Sequence, residues 1–268
     1  MPSRSVALLA CALAAAPAFA AEDVPFITTP DNVTATMLRL AGVGPQDYVI
    51  DLGSGDGRIV ITAAKRYGAR GLGVEIVPEL VEKSRENARR AGVADRAHFR
   101  EQDLFKTDLL PATVVTMYLL PEVNLQLRPA LLALKPGTRL VSHDWDMGEW
   151  KPDKTEVVDV PDKPIGLDKK SRVHLWVVPA RVEGLWCGPK GKPGSLAIKQ
   201  AFQQAQATLD GQPFALAIAA NRLKSPEGKG RITLELAEGK LRAISATGTL
   251  APWQGVRFSR AKGASCPA

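Results

Sequence analysis

Tyr48-Val-Ile-Asp-Leu-Gly-Ser-Gly-Asp-Gly-Arg58 is the stretch on which the reading of this chain turns. The apolar run from Tyr48 to Leu52 reads as a buried strand, and Gly57 to Tyr67 has the periodicity of a helix. Between them Gly53, Gly55 and Gly57, with Ser54 among them, sit where the backbone must bend sharply and approach a ligand. The dinucleotide fingerprint G-x-G-x-x-G would need its third glycine at position 58, which is Arg58. Asp51 and Asp56 flank the turn, and carboxylates there repel a pyrophosphate held at a helix N-terminus. Toward a ligand carrying an ammonium and a sulfonium the same carboxylates are attractive partners, or orient the donors around it. The turn therefore favours S-adenosylmethionine (SAM) over NAD.

Outward from this loop, Arg70 to Glu75 reads as the second strand. Glu75 lies 24 residues after Asp51, where an acid can accept from both ribose hydroxyls. Asp103 follows the third strand, Ala97 to Glu101, and is placed with Leu104 to meet the adenine. Each acid has the alternative of a turn former or helix cap. Pro78 to Ala91 reads as a helix, Thr113 to Tyr118 as a fourth strand, and Glu122 to Leu134 as a helix stopped by Lys135-Pro136-Gly137. Arg139 to Ser142 begins a fifth strand. Val157 to Val160 and Val173 to Val178 form a closing pair joined by a Lys- and Asp-rich turn. Alternating strands and helices predict an α/β, Rossmann-like parallel sheet with helices on both faces.

After Val178 short alternating runs separated by Gly, Asp, Asn and Pro turns predict a small antiparallel β meander. The predicted organisation is residues 1–20 as a signal peptide, 21–180 as the α/β domain and 181–268 as the β-rich domain, with Ala21 to Thr29 a short lead-in.

The segment from Pro30 to Trp150 resembles a class I SAM-dependent methyltransferase, and Asp51 to Gly57 matches that superfamily's first motif residue by residue. Thr29-Pro30, Asp51 to Ile59 and Asp144-Trp-Asp-Met-Gly-Glu-Trp150 resemble bacterial exported methyltransferase-domain proteins. They are more distantly similar to small protein-lysine methyltransferases. The resemblance covers the middle half of the chain and leaves out the C-terminal domain. It implies a seven-stranded sheet with one reversed strand, a cofactor site that includes Pro30, and methyl transfer to an acceptor that a protein lysine would fit.

In-line transfer from a sulfonium needs the nucleophile held close and aligned more than it needs acid/base machinery. Tyr118, after the fourth strand, is a candidate for the transfer channel or an ordinary core aromatic. Asp144 and Asp146 are candidates to face substrate, and His143 is a candidate base or a structural residue. The Asn/Asp-Pro-Pro-aromatic motif of amino-methyltransferases acting on bases and amides is missing after the fourth strand. Adjacent residues of a strand point to opposite faces, so His143 to Asp146 make no convincing metal site.

Met1 to Ala20 combines Arg4, an apolar run from Val6 to Ala16 and small residues at Ala18 and Ala20, the pattern of a secretory signal cut after Ala20. The expected location is periplasmic or extracellular. Cys187 and Cys266 then remain, either as two unrelated free thiols or, in an oxidising compartment, paired across a loop whose closure stabilises by roughly 4 to 5 kcal/mol at most. The net charge of +7 is spread among acids with no dense basic run, so nucleic acid is not a favoured partner. With 45% apolar residues in 268, the chain can fill real cores, and no second apolar stretch approaches spanning length. SAM is made in the cytoplasm, which keeps open a second reading: an exported binding protein that retains the fold without catalysis.

Overall fold

The computed structural model describes residues 27–163, 168–189 and 194–266, so the predicted signal peptide lies outside the described residues. Seven strands make one sheet: β1 (Tyr48–Leu52), β2 (Arg70–Glu75), β3 (Ala97–Glu101), β4 (Val114–Met117), β5 (Arg139–His143), β6 (Lys154–Asp159) and β7 (Lys170–Val177). Their order is β3-β2-β1-β4-β5-β7-β6. β1 to β5 run parallel, while β7 is antiparallel to both β5 and β6, so it is the one reversed strand. Strand order reverses between β2 and β4 on either side of β1, and the crevice for a ligand opens there, at the carboxyl ends of the strands.

Among the described residues four α-helices accompany the sheet: α1 (Asp31–Leu40), α2 (Arg58–Tyr67), α3 (Pro78–Ala91) and α4 (Pro121–Leu132). The sheet's alternation divides its apolar residues. Val49, Val114, Val141 and Val173 pack with α1 and α2, and Ala97 and Phe99 with α2 and α3. Ile50, Leu52, Val115, Met117 and Leu140 turn the other way, toward Leu127 and Leu131 of α4. The expectation of helices on both faces holds unevenly, three on one side against one on the other. Beyond α4 the second face is covered by Met147 and Trp150, on the stretch after β5, and by Phe202 from the C-terminal part.

The C-terminal strands are β8 (Gly184–Cys187), β9 (Ser195–Ala201), β10 (Gln204–Leu209), β11 (Gln212–Ala219), β12 (Arg222–Lys224), β13 (Gly230–Ala237), β14 (Lys240–Gly248) and β15 (Arg257–Arg260). Successive strands pair antiparallel, as in a meander, but β15 returns to β8 and closes the sheet into an eight-stranded barrel. Two residue pairs make that closure, Ser259 with Cys187 and Arg260 with Trp186. Strands that short carry too little alternation to announce a barrel in sequence. Trp186, Leu234, Leu241 and Phe258 fill its interior. Cys187 and Cys266 are disulfide-bonded with Cα atoms 5.4 Å apart, next to the closing seam. Between β7 and β8 the chain passes through Ala180, whose N–H bonds to the Ala220 carbonyl of the barrel at 2.7 Å.

Candidate active site

The loop after β1 is left-handed at Gly53 (φ +70°), Gly55 (+53°) and Gly57 (+81°), three conformations that side chains resist. A Cβ at Gly57 would lie 2.6 Å from the Phe99 ring, so this glycine also lets α2 start against β3. α3 braces the loop from behind. Ser84 Oγ donates to the Gly55 carbonyl (2.8 Å) and Asn87 Nδ2 to that of Asp56 (2.9 Å).

Asp51 is buried under the loop and accepts a 2.7 Å hydrogen bond from the Thr116 hydroxyl of β4. Burial pushes its carboxyl up to about 7, against the pull of that hydrogen bond. Glu75 ends β2 with its carboxylate turned toward the loop: Oε2 accepts from Gly55 N–H (3.0 Å), and Oε1 from the N–H groups of Ile76 and Val77. Ile76 beyond it is two-thirds exposed, an apolar surface at the crevice mouth. Across from it Asp103 caps the short turn Leu104–Lys106 by accepting from Phe105 N–H, and its Oδ2 lies 3.4 Å from Lys106 Nζ. The cap reading of Asp103 thus describes one of its oxygens.

Asp56 is engaged within the chain. Arg58 grips both its oxygens, at 2.9 and 2.6 Å, and donates to the Thr29 carbonyl at 2.9 Å. The guanidinium neutralises Asp56 and holds it ionised below the usual carboxylate range, despite the opposing effect of burial. Of the two acids that flank the turn, Asp56 is therefore taken up by a guanidinium, whereas Asp51 accepts from a hydroxyl, and Glu75 accepts from backbone N–H groups. Arg58, read in sequence only as a missing glycine, ties the Thr29-Pro30 lead-in to the loop.

On the far side of β4, Tyr118, Thr28, Pro30, His143, Lys163 and Ser171 line a small pocket with Ile27. The Tyr118 and His143 rings lie 3.9 Å apart. His143 Nδ1 is 3.3 Å from Thr29 Oγ1 and Nε2 is 2.9 Å from Ser171 Oγ, so both ring nitrogens are engaged. Burial takes its pKa down to about 4, leaving a neutral imidazole that positions its neighbours. Asp144 (φ +63°) is paired with Lys163 Nζ at 2.7 Å and accepts from Arg172 N–H at 2.8 Å. Asp146 is exposed and caps the following turn by accepting from Gly148 N–H. The structure thus sets Tyr118 in the pocket, brings Asp144 to it through Lys163, and leaves Asp146 outside it. Lys163 was hidden in the Lys- and Asp-rich turn, where sequence offers no sign that one lysine folds inward.

This arrangement fits SAM: acidic groups under and beside a loop of bare backbone match its cationic end, and Ile76 and Leu104 give apolar flanks for a base. The ANTKMT methyltransferase domain model matches residues 51–154. A protein-lysine N-methyltransferase of Saccharolobus islandicus (strain REY15A) is 45% identical over 58% of this chain and 94% of its own length. The adenine nucleotide translocase lysine N-methyltransferase of Mus musculus is 36% identical over 48% of this chain and 57% of its own length. A crystal structure of an RNA methyltransferase from Salinibacter ruber, in complex with S-adenosyl-L-homocysteine, is 52% identical and covers 58% of this chain and 96% of that one, with a TM-score of 0.52.

The chain belongs to the class I SAM-dependent methyltransferases. It is an enzyme of methyl transfer, and SAM is its methyl donor.

Proposed function

We propose that the acceptor is the side-chain amine of a protein lysine. The observation that carries this reading is the 45% identity to a protein-lysine N-methyltransferase across nearly all of that relative's length. When bound, SAM supplies an electrophilic methyl that the amine nitrogen takes in line as the carbon–sulfur bond breaks, leaving S-adenosylhomocysteine. Asp51 and Glu75 would set the negative potential around its cationic end, and Glu75 would also accept from the ribose hydroxyls. Gly53, Ser54, Gly55 and Gly57 bring bare backbone against it, and Asp56 acts through Arg58 to hold that loop. Asp103 and Leu104 would border the adenine, and Pro30 would close the crevice from the lead-in.

The acceptor enters beside Tyr118. An ammonium must give up its proton to solvent before attack, and a part-buried aromatic wall lowers the cost of the neutral amine. His143 is a weak base with both nitrogens occupied, so it orients Tyr118 rather than abstracting the proton. Asp144 is the carboxylate that serves the pocket; Asp146, outside it and exposed, would meet only the acceptor's surroundings.

Incubating the chain with methyl-labelled SAM and cell-envelope extract tests the reading: label recovered as methyl-lysine is expected. The Salinibacter ruber relative supports a second reading, transfer to RNA. Label recovered in RNA and absent from protein would establish it and overturn the first.

The same proposal includes export, with residues 1–20 removed after Ala20. The disulfide between Cys187 and Cys266 supports an oxidising compartment. N-terminal sequencing of protein from separated cell fractions tests it, and an intact Met1 on cytoplasmic protein would refute it.

A further inference from the structure

We propose that the pocket beside Tyr118 is a primary-ammonium site, filled at rest by the chain's own Lys163 and given over to the acceptor's amine when one arrives. The proposal rests on the protein-lysine reading above and names the group that recognises the acceptor.

Lysines on a polar hairpin turn normally extend into water, because their ammonium is strongly hydrated. Lys163 does the reverse. Its side chain is only 15% exposed, whereas those of Lys106 and Lys154, also in ion pairs, are 82% and 58% exposed. Its Nζ lies 2.7 Å from Asp144 Oδ2 and donates to the Lys170 carbonyl at 2.7 Å. Asp144 is equally constrained, since its backbone is left-handed and its other oxygen accepts from Arg172 N–H. A non-glycine residue held in that conformation is there because surrounding structure requires it.

The rest of the pocket reads the same kind of ligand. Tyr118 gives an aromatic wall, Pro30 an apolar one, and His143 adds no charge because burial keeps it neutral. One carboxylate and one carbonyl at the head, the Thr28 and Ser171 side chains beside it, and aromatic and apolar walls suit a charged amine on an alkyl stem. The pocket also adjoins the methyl-donor loop. Arg58 of that loop holds the Thr29 carbonyl next to Pro30, and Leu119, next to Tyr118, comes within 3.0 Å of where a Cβ on Gly53 would sit. An unpaired, largely buried Asp144 would be costly, so its cation is exchanged for another rather than simply removed. Lys163 swings out as an acceptor of the same chemistry comes in.

The probe is n-butylammonium, a primary ammonium on a four-carbon stem, titrated calorimetrically into the full chain. The Lys163→Ala variant is expected to bind it at least tenfold more tightly than the unaltered chain, and the Lys163→Ala/Asp144→Asn double variant to lose that gain. Butyltrimethylammonium, with no N–H to donate, is expected to show no such gain. Equal affinity in the unaltered and Lys163→Ala chains, a gain that survives Asp144→Asn, or equal binding of the trimethyl compound would each overturn the proposal. If a melting curve shows Lys163→Ala unfolded, Lys163→Ser carries the same comparison. The two readings fail separately. Tightened n-butylammonium binding with label only in RNA would sink the lysine acceptor and leave the ammonium site standing. Methyl-lysine formation with no tightening would sink the site alone.

Discussion

Phe202, on the turn between β9 and β10 of the barrel, lies parallel to the indole of Trp150, with planes 6° apart and ring centroids 6.1 Å apart. Trp150 is fully buried beneath it and belongs to the core on the α4 face of the sheet, and the Arg128 guanidinium stands 5.8 Å from the Phe202 ring centre. Gln203 adds a 2.9 Å bond to the Lys151 carbonyl. The barrel thus completes a core that the sheet's own helices leave partly open. Phe202→Ala is expected to cost about 1–3 kcal/mol, since the ring is half-buried and aromatic packing is lost. Scanning calorimetry should show the sheet's unfolding move to lower temperature, with the barrel's less affected. One unchanged transition would mean that the contact is incidental.

Asp51 predicts a pH dependence. Its pKa is raised from 3.8 to about 7 in the folded chain, so the neutral carboxyl is the form the fold prefers. That contribution is full below about pH 4 and is lost as pH rises through about 7. Asp51→Asn should flatten this part of the stability profile and raise the melting temperature at pH 8 relative to the unaltered chain. SAM binding should respond oppositely, because the ionised carboxylate attracts a cation. Affinity of the unaltered chain should improve between pH 6 and 8 by roughly tenfold more than that of Asp51→Asn. Parallel profiles in the two chains would place the cofactor's charge elsewhere.

Glu75→Gln keeps the size of the side chain but gives up one of the two acceptor oxygens that face Gly55, Ile76 and Val77. Loss of charge-assisted bonds to loop and ribose should weaken SAM binding by about 1–3 kcal/mol. Calorimetry with SAM and with S-adenosylhomocysteine measures it. The product shares the ribose but not the sulfonium, so the loss should appear with both.

Arg58→Lys tests the brace between lead-in and loop. A lysine keeps one positive charge beside Asp56 but cannot hold both its oxygens and the Thr29 carbonyl together. SAM affinity should fall about five- to tenfold, with proteolysis near Thr29 accelerated. Unchanged affinity would show that the lead-in plays no part in the crevice.

Reducing the Cys187–Cys266 bond should destabilise the barrel by about 2–4 kcal/mol. Methyl transfer at ordinary temperature should persist, because the cofactor loop belongs to the other sheet. Simultaneous loss of both on reduction would tie catalysis to the barrel.

The local signals of this protein lie in short stretches. A buried strand, three glycines and a helix start at Tyr48 to Arg58 suffice to specify a cofactor turn, since bare backbone and left-handed φ are properties of adjacent residues. The alternation of later strands and helices likewise specifies a parallel sheet, and the resemblance supplies its one reversed strand. Which partner each acid takes follows from side-chain geometry: Asp56 is taken up by Arg58 two residues on, while Glu75 turns back to the loop from a neighbouring strand. Tertiary structure also closed the meander into a barrel through β8 and β15, set Phe202 on Trp150 and sank Lys163 against Asp144. The closure, the stack and the Lys163–Asp144 pair depend on pairings between residues 19 to 74 positions apart, and no local pattern of polarity records which distant partner a side chain will meet.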